Sequence, residues 1–119
     1  MEEARVEGGD LGGDTDAQFG RVRTACVDKG RDPATLRLSA AQTVCCGADE
    51  AEVERRAANI GRKAEDLRAH GLAGTPDEVV ARLQQFAAIG AESVYLQVLD
   101  LNDLEHIDLL AEEVLPRVV

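Results

Sequence analysis

Apolar residues recur along this chain at two spacings, and the switches between them predict the order of elements. Phe19, Val22 and Cys26 stand three and four apart, which predicts a helix over about residues 17–29, with Asp16 as N-cap and Gly30 as C-cap. Pro33 is preset for the bend that follows. Leu36, Leu38, Ala40 and Val44 then share one face at period two, a strand pattern over 36–44 that Gln42 interrupts. Val53, Ala57, Ile60, Ala64 and Leu67 return to helical spacing, with Asp49 and Glu52 as a capping box at the start and His70-Gly71 as the stop. The opposite face, from Glu52 to Asp66, mixes both signs of charge, including the i, i+4 pair Glu52 and Arg56, and reads as solvated. Thr75-Pro76-Asp77-Glu78 opens another helix, its buried face being Val79, Val80, Leu83, Phe86 and Ala87 and its end Gly90. The near-continuous apolar run Ser93–Leu99 predicts a strand covered on both faces. Asn102 and Glu105 form a further box before a last helix, with Leu104, Ile107, Ala111 and Val114 inside and a stop at Pro116.

Helices alternating with strands predict an α/β fold with two main parallel strands, about four helices and a right-handed crossover. Two parallel strands alone leave two open edges, so the pattern is that of a piece of a larger α/β structure. Residues 17–119 carry this pattern. Residues 1–16 hold six acids against one Arg, with Gly8, Gly9, Gly12 and Gly13, and read as an acidic, loose lead-in; Val6 and Leu11 lend only weak support to a short strand there.

Composition changes the picture in three ways. A formal charge of −10 on 119 residues argues against nucleic-acid or anionic-membrane partners, and no run of about 18 apolar residues exists to span a bilayer. The apolar content is 18 Ala against 28 Val, Leu and Ile, with Phe19, Phe86 and Tyr95 the only aromatics, so the core is built from small side chains and is expected to want a partner. Cys26, Cys45 and Cys46 cannot pair completely and show no metal-ligand rhythm, and the start Met1-Glu2-Glu3-Ala4-Arg5 is unlike a secretory signal; a reduced, cytoplasmic protein is expected.

Several stretches in order carry a family likeness: Gly30-Arg31-Asp32-Pro33, Leu36-Arg37-Leu38-Ser39, Ala48–Glu52, Gly71–Val79, Val94-Tyr95-Leu96-Gln97, Asp103–His106 and Glu112–Pro116. Together they resemble the C-terminal part of luciferase-like monooxygenases, in wording closest to the branch dependent on coenzyme F420, over about residues 19–117. The resemblance implies a partial (β/α)₈ barrel in which 36–44 is the seventh strand and 93–99 the eighth, and a flavin mononucleotide or F420 cofactor bound at the C-terminal strand ends. A barrel of this kind needs about 250 residues, and the family's catalytic positions have no counterpart here. The expected protein is therefore a truncated oxidoreductase relative, without catalysis as a single chain. The alternatives are a non-catalytic module that self-associates through its strand edges, and a subunit that docks on a separate polypeptide bearing the barrel front.

Candidate chemistry is sparse. Gln42, Gln97 and Asp100 lie at the C-terminal strand ends, where Gln42 and Gln97 could hydrogen-bond a ring or phosphate; polar residues there more often bind backbone or water, and an aspartate more often caps a turn. His106 reads as a surface histidine, and Cys45 and Cys46 as buried packing. The helix starts at Asp49, Thr75 and Asn102 each carry acids in the first turn, which oppose a phosphate. No phosphate loop and no nucleophile elbow is present.

Overall fold

A computed structural model describes the backbone of residues 2–7 and 14–118 and the side chains of residues 16–118. Along these residues run β1 (Glu2–Glu7), α1 (Asp14–Asp28), β2 (Leu36–Cys46), α2 (Glu50–Asn59), α3 (Ala64–His70), β3 (Leu72–Gly74), α4 (Pro76–Ala88), β4 (Ala91–Gln97), α5 (Leu104–Leu109) and α6 (Leu115–Val118). A 3-10 turn, Pro33–Thr35, precedes β2, and a π turn, Leu110–Val114, joins α5 to α6.

The long strand β2 organises the sheet. β1 pairs with it in parallel from Glu2↔Leu36 to Glu7↔Ala41, and β4 pairs in parallel from Leu38↔Ala91 to Thr43↔Gln97. Both partners use Leu38–Ala41, and a strand has only two edges, so β1 and β4 flank β2 on opposite sides. The short β3 pairs with its end, Val44–Cys46. A third full-length strand, β1, thus extends the two-strand expectation. Leu11 and the four glycines of the lead-in lie outside the described residues.

Leu38, Ala40, Val44 and Cys46 of β2 pack with Phe19 of α1, Val79, Val80 and Phe86 of α4, and Leu110 and Val114 of the π turn. α1, between β1 and β2, and α4, between β2 and β4, therefore cover the same face, and the strands are laid down in sequence, β1-β2-β4. That is winding in one direction, the arrangement of a barrel wall rather than of an open sheet wound both ways. The opposite face carries Ser39, Ala41 and Thr43, registered with Ser93, Tyr95 and Gln97. Tyr95 is 43% exposed there. A second, smaller cluster, Cys45, Val53, Ala57, Leu67 and Ala73, closes the end of β2 with α2 and α3.

Four expectations about the helices change. α1 begins at Asp14, so Asp16 sits in its first turn. The helix expected from Asp49 to His70 is two, because Gly61 takes a left-handed conformation (φ +70°). The N–H of Gly61 bonds to Ala58 O at 3.0 Å and that of Arg62 to Ala57 O at 2.9 Å, a Schellman end to α2. Gly30 ends α1 in the same way, as expected. The last helix is capped by Asp103, not Asn102: Asp103 Oδ1 accepts from His106 N–H at 3.2 Å. It also runs past Pro116, where a π bond from Leu115 N–H to Leu110 O widens the turn just before a residue with no N–H to give.

The face this last helix buries differs as well. Leu104 is 66% exposed and Ile107 39%, and Ala111 is exposed, whereas His106, Leu110 and Val114 are buried. The expected inner stripe is in large part an outer one.

Candidate functional site

The polar constellation at the C-terminal strand ends is centred on Arg56. Burial of the apolar stripe Val53–Ala57 against the end of β2 carries this arginine inward, and it is only 4% exposed. Its Nη1 donates to Cys46 O at 2.9 Å and also to Glu52 Oε1, and its Nε donates to Asp103 Oδ2 at 2.9 Å. The i, i+4 pair with Glu52 is the one expected. The solvated setting expected for Arg56 is not found, because its other partners lie on β2 and after β4, invisible to local spacing. His106 is likewise buried, at 5% exposure, against the surface reading. Its Nε2 accepts from Cys46 N–H at 2.9 Å, so Nε2 carries no proton in this arrangement.

Cys46 is the hub of this knot: its N–H goes to α5 and its carbonyl to α2. The peptide at the end of β2 has both polar groups satisfied by side chains where ladder pairing runs out. Burial works against the charge of Arg56, and hydrogen bonds to Asp103 and Glu52 outweigh it, so its pKa rises. The guanidinium holds Asp103 below the ordinary carboxylate value, helped by the His106 N–H and opposed by burial. Burial, and next the charge of Arg56, hold His106 below its ordinary value against Asp103, Glu52 and Asp100. Burial pushes the Cys46 thiol up to about 11 and raises Cys45 too, despite the nearby Arg56. Neither thiol is a nucleophile at neutral pH. Both are buried, as expected, and Cys45 Sγ donates to Val53 O at 3.4 Å.

The three strand-end candidates are not brought together by the structure. Gln42 is buried and shares the helix-covered side of β2 with Ala40 and Val44. Gln97 is exposed and registered with Thr43 on the opposite face. Asp100 turns the loop after β4, its Oδ1 accepting from Asn102 N–H at 3.1 Å. Gln97 is the last residue of β4, and Arg56 and His106 gather at the end of β2. The signal for Arg56 was its i, i+4 spacing to Glu52, and nothing local marked its burial.

These residues do not form a cradle for a flavin or deazaflavin. The cavity between Val44, Arg56, Leu99, Asp100, Asp103 and His106 is about 10 Å³, the lower limit for one water. The adjoining helix starts hold carboxylates of their own. Asp49 Oδ1 accepts from Glu52 N–H at 2.9 Å, Glu78 Oε1 from Thr75 N–H at 3.2 Å, and Asp103 caps α5. Those are the N–H groups and positive helix ends that a phosphate would need. Among the described residues no cluster of His, Cys, Asp and Glu is placed to hold a metal ion. No described helix is long and apolar enough to cross a membrane.

No protein-family model and no curated protein matches the sequence. Solved structures match the fold. The coenzyme F420-dependent tetrahydromethanopterin reductase of Methanopyrus kandleri superposes with a TM-score of 0.73 at 15% identity, over 98% of this chain and 45% of that one. Monooxygenase RslO1 of Streptomyces bottropensis gives 0.61 at 19% identity, over 88% and 38%. The oxygenating constituent of 3,6-diketocamphane monooxygenase of Pseudomonas putida, a type II Baeyer–Villiger monooxygenase in complex with FMN, gives 0.56 at 16%, over 98% and 49%. The fold is that of part of a parallel α/β barrel. The chain spans less than half the length of each of these neighbours.

Proposed function

We propose that this chain is the C-terminal wall of a luciferase-like barrel, related to flavin- and F420-dependent oxidoreductases, and that it supplies structure rather than chemistry as a single polypeptide. The observation that supports this reading is the closed state of its strand ends. Arg56, Asp103 and His106 are spent on one another and on Cys46, in the place where a barrel enzyme keeps its reacting groups open to a ligand. The part of the barrel that this chain does not itself form is provided by association, and a second copy is the partner we favour.

Two features support a second copy. Among the described residues β1 and β4 each pair with β2 only, which leaves an outer edge on each. Beside β4, a groove of about 180 Å³ lined by Leu83, Ala87, Val94, Leu96, Leu115 and Val118 adjoins the outer stripe of Leu104, Ile107 and Leu115. This surface has the apolar character of an interface core.

Sedimentation equilibrium over a hundredfold range of concentration, with titrations of FMN and F420 followed by their fluorescence, tests both parts. The expected result is a concentration-dependent oligomer that binds neither cofactor. Tight cofactor binding by the monomer would overturn the structural role, and a monomer at every concentration would overturn self-association. A monomer that co-purifies from its host with a flavin enzyme lacking these strands would place it in a split barrel instead.

A further inference from the structure

The contact between His106 and Cys46 joins α5 to the end of β2 across 60 residues of sequence, through an acceptor that a proton abolishes. We propose that His106 is an acid-released latch: the neutral imidazole holds α5 over the C-terminal strand ends, and protonation lets α5 come away from Cys46 while Asp103, in the loop before it, stays held by Arg56. An imidazolium has N–H donors on both nitrogens, so its Nε2–H would face the Cys46 N–H, two donors at 2.9 Å with nothing between them. The same event places a positive charge beside the buried guanidinium of Arg56.

The groups facing the ring from each packed element are few. Arg56 and Glu52 come from α2, Asp100 and Asp103 from the loop after β4, and Cys45 and Cys46 from β2. The carboxylates are already engaged. Asp103 is held by Arg56 and by the His106 backbone, Glu52 by Arg56, and Asp100 by Asn102 N–H. None of them is hydrogen-bonded to the ring, whose Nε2 faces the Cys46 N–H, so the new Nε2–H meets no acceptor in place. The latch also has a natural range of movement. α5 is six residues long and is followed by the π turn. Its release would uncover the Arg56 cluster and the strand ends that it closes.

The folded state takes up the His106 proton less readily than the unfolded chain does. Stability of the latched state is therefore full above the ordinary value of 6.5 and falls as pH drops below it, until the lowered folded value is passed. Amide hydrogen exchange of the full chain, corrected for intrinsic rates, reads this directly. The protection factors of the Cys46 and α5 amides are expected to fall about tenfold for each pH unit below about 6.5. The Phe86 region of α4 should hold its protection over the first unit. His106→Gln keeps an acceptor oxygen without a titrating nitrogen, and should remove the pH dependence while retaining protection.

Equal protection of α5 at pH 7.5 and 5.5 in the wild-type chain would overturn the latch. So would an unchanged pH dependence in H106Q. Should H106Q fail to fold, imidazole ¹⁵N shifts of the wild type give the second measurement. An Nδ1–H tautomer whose protonation coincides with loss of α5 protection supports the proposal, and a ring that titrates while α5 stays protected refutes it.

Discussion

Arg56 Nε donates to Asp103 Oδ2 at 2.9 Å, and this bond ties the helix that follows β2 to the loop that follows β4. With the second bond to Cys46 O, one guanidinium fastens three segments that are separate in sequence. It follows that Arg56 is worth far more than the surface charge it resembles. Arg56→Met leaves Asp103, partly buried, and the Cys46 carbonyl without their donor, and is expected to cost about 3–5 kcal/mol. Urea denaturation of R56M, D103N and the double variant checks this. The double should be much less unstable than the sum, since Asn still caps α5 and removal of both charges relieves the uncompensated one. R56K should not restore stability, because an ammonium cannot serve the fork of acceptors that the guanidinium does.

Two glycines should respond to alanine with opposite signs. Gly61 stands at φ +70° in the break between α2 and α3, with open space around an added Cβ, so the cost of G61A is conformational and about 1–2 kcal/mol. Gly20 lies inside α1 with nothing within 4 Å of an added Cβ, and G20A should stabilise by about 0.5–1 kcal/mol. Midpoints of chemical denaturation, at unchanged slope, give both values.

The thiols offer a third check. Cys45 and Cys46 are buried, and Cys46 is held protonated up to about 11, so neither supplies thiolate at pH 8. Native-state alkylation at pH 8 followed by peptide mass mapping should leave both unlabelled over hours, and labelling should begin with global unfolding. Rapid modification of Cys46 in the folded chain would show that the end of β2 opens on its own.

What could be read in the sequence was whatever depends on near neighbours. The stripe Val53, Ala57, Ile60, Ala64 and Leu67 does face one apolar cluster, although a break between two helices divides it. The break was hidden because the 4, 3, 4, 3 spacing continues through Gly61 and only the sign of φ there interrupts the helix. The strands of β2 and β4 were legible within two or three residues, whereas β1 owes its identity to its pairing with β2. The misplaced face of α5 has a long-range cause. Spacing alone puts Leu104, Ile107 and Ala111 inside, but His106 is pinned to Cys46 and Asp103 to Arg56, and these two bonds set the rotation of the helix. The Arg56 cluster joins residues 10 and 47 positions from it, and no local pattern carries that information.

Acid should unfold the chain in two separable stages. The first is the loss that begins near 6.5 as His106 is protonated. The second belongs to Asp103, whose folded carboxyl is held below its ordinary value of 3.8, chiefly by the Arg56 hydrogen bond. A carboxylate with a lowered folded value contributes stability that is full well above 3.8 and is lost as pH falls through the lowered value. Between the two windows the contribution of Asp103 is intact, so H106Q and D103N should act on different limbs of the stability curve. H106Q flattens the slope that begins below about pH 6.5 and leaves the acid limb in place. D103N lowers the plateau and flattens the limb below about pH 4. Urea midpoints measured at half-unit steps from pH 8 to 3 resolve the two. If both substitutions flattened the same limb, the histidine and the carboxylate would be titrating as one unit, and α5 would be held by a single coupled switch in place of two fastenings.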